Sequence, residues 1–242
     1  MSVINSPTTV LSPQSSSSST LPQQFHTASS QHDLVVKRSA TWRYLQRVHQ
    51  GGMVLYNTAV LTEADLRKGY PYNDEKMQRK TMQYFMLGSS LATILEIPNQ
   101  ADCLKALHVV VQEFDYFIAS DSKSKMMLKF RATGRKALLE GKSFEETGEY
   151  SQLDVRPLPF QLDYIITFAS LCDMIAQVYE KLSGNGNIWN MNTLDLFQRV
   201  DSRFKKILTT VSKELEGMAR DVILDELNGM DPLGGTTEDW GF

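Results

Sequence analysis

With only two cysteines and four histidines in 242 residues, the chain has little from which to build a disulfide framework or a metal cluster. Cys103 and Cys172 lie far apart, each on an apolar helical periodicity, which is the setting of buried free thiols. No Asn-x-Ser/Thr sequon occurs either, and the two absences together point to a reducing, cytoplasmic compartment. The first 32 residues contain no Asp, Glu, Lys or Arg, so they lack the n-region of a secretory signal and the Arg-rich pattern of a mitochondrial presequence. Long hydrophobic runs are absent as well, since nothing approaches the roughly 18 apolar residues needed to cross a bilayer.

Catalytic signatures are the last absence. There is no serine or cysteine nucleophile motif, no His-Glu-x-x-His helix, no Gly-x-Gly-x-x-Gly turn, and no calcium-loop or zinc-finger spacing. Thr133-Gly134-Arg135-Lys136 lacks the upstream glycine and the hydroxyl residue after lysine that a P-loop needs. Glu113 and Asp115 stand two apart, so on a helix they point in different directions and make a poor acid–base pair. His108 has no companion at ligand spacing and reads as a packed or solvated side chain. The chain is therefore expected to be no enzyme, with no cofactor, metal or small-molecule substrate. A formal net charge of −3 argues against whole-surface attraction to nucleic acid.

What is present is helical. Residues 1–32, dominated by Ser, Thr, Pro and Gln, cannot bury enough apolar area to offset the entropy of ordering them and are expected to form a disordered tail. Order begins near Asp33, where Trp42, Leu45 and Val48 follow helical spacing among Lys37, Arg38, Arg43 and Arg47. That pattern fits an interfacial basic helix, or an ordinary helix whose narrow apolar stripe a neighbour covers. Val54 to Leu61 reads as a short strand or extended connection. Helices are then expected from Thr62 to Gly69, Asn73 to Ile97 and Gln100 to Ala119, bounded by capping residues, Gly69 and the prolines at 71 and 98.

The strongest pattern is C-terminal. Phe204, Leu208, Val211, Leu215, Met218 and Val222 alternate spacings of four and three in a helix from Asn192 to Asn228, and Ile165, Phe168, Cys172, Ile175, Tyr179 and Leu182 do the same upstream. Ser183-Gly184-Asn185-Gly186-Asn187 separates them, so an αα-hairpin is expected. Two features bear on partners. Lys125, Lys129, Arg131, Arg135 and Lys136 fall in a basic stretch, Lys123 to Lys142, suited to anionic lipid headgroups. Trp240 and Phe242 follow Glu238 and Asp239 in a short tail, 231–242, which suits capture by an adaptor or folding back onto a bundle groove.

The sequence thus predicts an all-α, irregular multi-helix bundle over residues 33–230 with a C-terminal αα-hairpin between two tails. Its expected role is a non-enzymatic interaction module, a cytosolic scaffold or complex subunit that binds another protein or a second copy. The candidate partner-binding residues are Leu208, Leu215, Trp240 and Phe242. The alternative is a peripheral membrane or phosphoinositide-binding protein that uses the basic stretches 37–47 and 123–142.

Overall fold

The computed structural model describes residues 21–51, 53–130, 150–184 and 189–230, with side chains described outside 21–30 and 121–130. Among these residues the fold is all-α, with six helices: α1 Leu21–His49, α2 Glu63–Gly69, α3 Glu75–Leu95, α4 Gln100–Phe130, α5 Tyr164–Leu182 and α6 Met191–Met230. No helix among them is long and apolar enough to cross a membrane.

Capping chemistry sets several of the helix boundaries. Thr62 and Asp65 close a reciprocal capping box on α2, Asp74 accepts from the Met77 N–H to start α3, and Asp163 accepts from the Ile166 N–H to start α5. The α5 start lies four residues after the expected Phe160, and two other boundaries differ by more. Helix α1 begins at Leu21, twelve residues before Asp33, and α4 runs to Phe130, eleven beyond Ala119. Once a helix is nucleated by a packed segment, each added residue gains a hydrogen bond without a new nucleation cost, so polar sequence is carried along.

The stretch Val54 to Leu61 folds on itself. Strands β1 Val54–Leu55 and β2 Ala59–Val60 pair antiparallel, so a short strand finds its partner three residues away. Tyr56 and Asn57 both adopt positive φ, 48° and 57°, and the Thr58 N–H donates to the Leu55 carbonyl at 2.9 Å, the arrangement of a type I′ turn. The Tyr44 hydroxyl clamps this turn, donating to the Val54 carbonyl and accepting from the Tyr56 N–H.

Helix α5 is the axis of the bundle. Ten of its nineteen residues are buried, more than one neighbour can cover, and it packs against α1 on one side and α3 on the other. Helix α4 then joins α3 to α6. The ring closes through side chains: Phe204 of α6 meets Trp42 of α1 at 6.4 Å and Tyr179 of α5 at 6.0 Å, both edge-on. The two C-terminal helices do follow one another across residues 183–190, but their seams take different partners. The backbone neighbours of α5 are α1 and α3, while α6 lies against α4 and touches α5 mainly through Tyr179, Phe197 and Phe204.

The buried face of α6 also starts earlier than its sequence pattern, comprising Phe197, Val200, Phe204, Val211, Leu215 and Ala219. Asp201 sits at the edge of this face and accepts from Arg38 Nε at 2.7 Å and from the Tyr179 hydroxyl at 2.7 Å. A second ion-pair group, Arg43 with Asp173 and Glu180, ties α1 to α5. At the other end of α6, Gly69 lets α2 approach, since a Cβ there would lie 2.0 Å from the Met218 sulfur.

Beside α5 lies an aromatic cluster. The Tyr70 and Tyr164 rings are 4.1 Å apart, Tyr164 stacks on Phe168 at 5.7 Å, and His49 stands 4.6 Å from Phe168. The His49 Nδ1–H donates to the Leu45 carbonyl, leaving Nε2 buried without a partner among the described residues. Burial pushes the pKa of this imidazole down to about 4, because an added proton would have to be held away from water. Burial also raises the Cys103 and Cys172 thiols, and both cysteines are free.

A cationic apolar cleft between three helices

Lys80, Gln83, Tyr84 and Leu87 recur at i, i+3, i+4 and i+7 along α3, so one stripe of that helix faces one way. Val111, Phe114, Asp115 and Ile118 form the matching stripe on α4, and Arg203, Phe204, Ile207 and Thr210 line the near side of α6. Because α4 lies between α3 and α6, these stripes enclose a cleft of about 570 Å³. Leu87, Phe114 and Phe204 are buried in its floor, while Ile118 and Ile207 are half-exposed at its walls.

Charge is organised around this apolar floor. At one end Lys80 Nζ lies 2.6 Å from both oxygens of Glu214 and 5.1–5.7 Å from the centres of the Tyr70, Tyr84 and Tyr164 rings. Burial lowers the Lys80 pKa, and Glu214 opposes that effect. The same burial, with Glu214 close by, raises the Tyr70 and Tyr84 hydroxyls. This end is an ion pair embedded in aromatic faces that ties α3 to α6. At the other end Arg203 pairs with Asp115 across α4 and α6. Beyond that pair lies a polar groove of about 430 Å³ lined by His108, Gln112, Asp195 and Arg199. Burial, and then Arg199, lowers the His108 pKa.

Lys206 stands exposed on the rim, and Lys205 and Lys213 continue the positive face around Ser202, Thr209 and Thr210. An apolar trough bordered by cations can take a surface that is apolar in the middle and acidic at its edge. Among the described residues no three His, Cys, Asp or Glu side chains gather as metal ligands.

The residues singled out from sequence fare differently. Leu215 is fully buried and belongs to the core, and Leu208 is half-buried against it. Within the single chain, then, the described residues already cover Leu215 and part of Leu208. Trp42 is 0% exposed, and Arg38 and Arg43 are paired with acids, so α1 turns its Trp-bearing face inward. Lys125 and Lys129 lie on the last turns of α4 with side chains outside the described residues. Arg131, Arg135, Lys136, Trp240 and Phe242 also lie outside them.

Sequence reasoning passed over Lys80, Arg203, Lys206 and Ile207 as a group. A heptad reading had assigned the apolar face of α6 to a single stripe, whereas Ile207 flanks that stripe beside two cations, a weak local signal. Neither a family model, a curated protein nor a solved structure matches the chain.

Proposed function

We propose that this protein is a non-enzymatic interaction module, a cytosolic scaffold or complex subunit, whose binding surface is the cleft between α3, α4 and α6. Its partner would be another protein, presenting an amphipathic helix with acidic residues beside its apolar face. One observation carries the reading: an apolar floor of Phe114, Phe204 and Leu87 is bordered by the exposed Lys206, with Arg203 held by Asp115 beside it. Helix-in-groove recognition needs a trough of this kind, with the apolar contacts supplying affinity and the charges selecting the partner and its direction. The alternative, an anionic membrane surface, has lost one of its two supports, because the face of α1 that carried Trp42 is packed against Phe204.

The test is fluorescence anisotropy with a labelled acidic amphipathic helical peptide, run beside the same peptide with lysines for its carboxylates. The acidic peptide is expected to bind, to weaken as salt rises, and to lose about tenfold or more in affinity to the variant Lys206→Glu with Ile207→Asp. Equal binding of both peptides, or of neither, would defeat the proposal. Salt-sensitive retention by anionic vesicles that ignores the two substitutions would support the membrane alternative.

A further inference from the structure

We infer that the cleft has an occupant within the same chain: the C-terminal segment Asp231 to Phe242, folded back along α6 so that Trp240 sits at the Thr210 end of the trough. This rests on the cleft being the binding surface and names what fills it when no partner is present.

Charge complementarity is the first argument. The segment carries Asp231, Glu238 and Asp239, no Lys or Arg, and the apolar anchors Trp240 and Phe242. From the cleft rim toward the end of α6, Lys206, Lys213 and Arg220 recur every seven residues, all exposed. That interval is two helical turns, about 10.5 Å, so the three cations line one track along the helix. The ion pairs of α6 among the described residues use Asp195, Arg199, Asp201, Arg203, Glu214 and Asp225, and none uses these three. A chain returning along this track passes Arg220 and Lys213, with the exposed acids Glu216 and Asp221 beside it, and reaches the apolar floor next to Lys206.

Reach is the second argument. Thr210 lies twenty residues before Met230, about 30 Å along an α-helix. Trp240 lies ten residues after Met230, and ten residues of extended chain span about 33 Å. The tail is just long enough for its tryptophan to reach the nearer edge of the cleft, with Phe242 two residues further in. Nothing shorter would bring an aromatic residue there, and the match fixes the direction as antiparallel to α6.

The experiment uses the full chain with its tryptophans replaced by fluorotryptophan and reads fluorine NMR. Three resonances are expected, from Trp42, Trp189 and Trp240, the last identified by its loss in Trp240→Phe. In the wild type the Trp240 signal should be shifted and broadened relative to a peptide of the segment, unchanged over about a hundredfold range of concentration. In the variants Lys206→Glu with Lys213→Glu, and Ile207→Asp, it should collapse to the peptide position while Trp42 and Trp189 stay put, showing an intact fold. A wild-type Trp240 already at the peptide position overturns the inference, as does a shift that survives both variants. A shift that appears only at high concentration also overturns it, by assigning the contact to a second copy.

The acidic helical peptide separates this inference from the reading it rests on. The full chain carrying Trp240→Ala and Phe242→Ala should bind that peptide about tenfold tighter than the wild type, because an internal competitor is gone. Tight peptide binding with a free Trp240 and no gain from these changes sinks the tail and leaves the cleft. Absence of peptide binding in every variant sinks the proposed function, while the fluorine spectra still decide the tail.

Discussion

Glu113 is fully buried, and no lysine or arginine pairs with it among the described residues. Its carboxylate is satisfied by the strap that leads into α5. Oε1 accepts from the Ser151 N–H and hydroxyl at 2.7 Å each, and Oε2 accepts from the N–H groups of Gln152 and Leu153 at 2.9 and 2.6 Å. Replacing it by the isosteric Glu113→Gln keeps one acceptor oxygen, so two of the four hydrogen bonds are lost and an NH₂ group confronts backbone donors. At roughly 1.5–3 kcal/mol for each hydrogen bond to a charged group, the expected loss is about 3–6 kcal/mol. Set against a total stability on the order of 5–15 kcal/mol, that is a large fraction of the fold. Urea unfolding at neutral pH, followed by circular dichroism, measures it. Ser151→Ala, which removes only the hydroxyl bond to the same carboxylate, should cost about 1.5–3 kcal/mol. Amide exchange at 151–153 should be slow in the wild type and fast in Glu113→Gln. A loss below about 1 kcal/mol for Glu113→Gln would refute the reasoning, since the strap would then not depend on the carboxylate.

Three further outcomes follow from the same core. His49 has a folded-state pKa of about 4 against an unfolded value of 6.5, so its contribution is complete above the unfolded value and is lost as pH falls from there toward the folded one. Wild-type stability should drop by about 2 kcal/mol from this group between pH 7 and pH 5, and denaturant titrations of His49→Phe should lack that component. Asp201→Asn leaves Arg38 and the Tyr179 hydroxyl without their shared anion and should cost about 2 kcal/mol, read as a shifted urea midpoint with an unchanged slope. Leu215→Asp buries a carboxylate in the core and should abolish cooperative thermal unfolding, whereas Leu208→Asp should cost about 1–2 kcal/mol and stay folded. A folded Leu215→Asp monomer derived from a wild-type dimer would instead place that residue between subunits.

Local chemistry was legible in the sequence because its determinants are close in the chain. Thr62, Asp74 and Gly69 announced their helix ends through groups a few residues away, and the apolar periods of α3, α5 and α6 follow from 3.6 residues per turn. The all-α class follows from those periods alone. Extent was less legible: α4 passes through polar residues after Ala119 because propagation costs little once packing has nucleated it.

Pairing was the tertiary decision. Periodicity states that Phe204, Leu215 and Phe168 must be covered, but the hydrophobic effect is non-directional and names no partner. Volume made the choice: α5 is apolar on too many sides for one neighbour, so α1 and α3 enclose it, and the large rings at 42, 179, 197 and 204 let α6 close the ring from further away. The same packing turned Trp42 and Arg38 inward, gave Glu113 its backbone donors from 38 residues or more along the chain, and brought Lys80, Phe114 and Lys206 to one cleft. The sequence by itself determined which faces would be buried and where helices would start. Only the tertiary structure decided which of those faces meet and what is left open between them, because that depends on the shapes of surfaces distant in the chain.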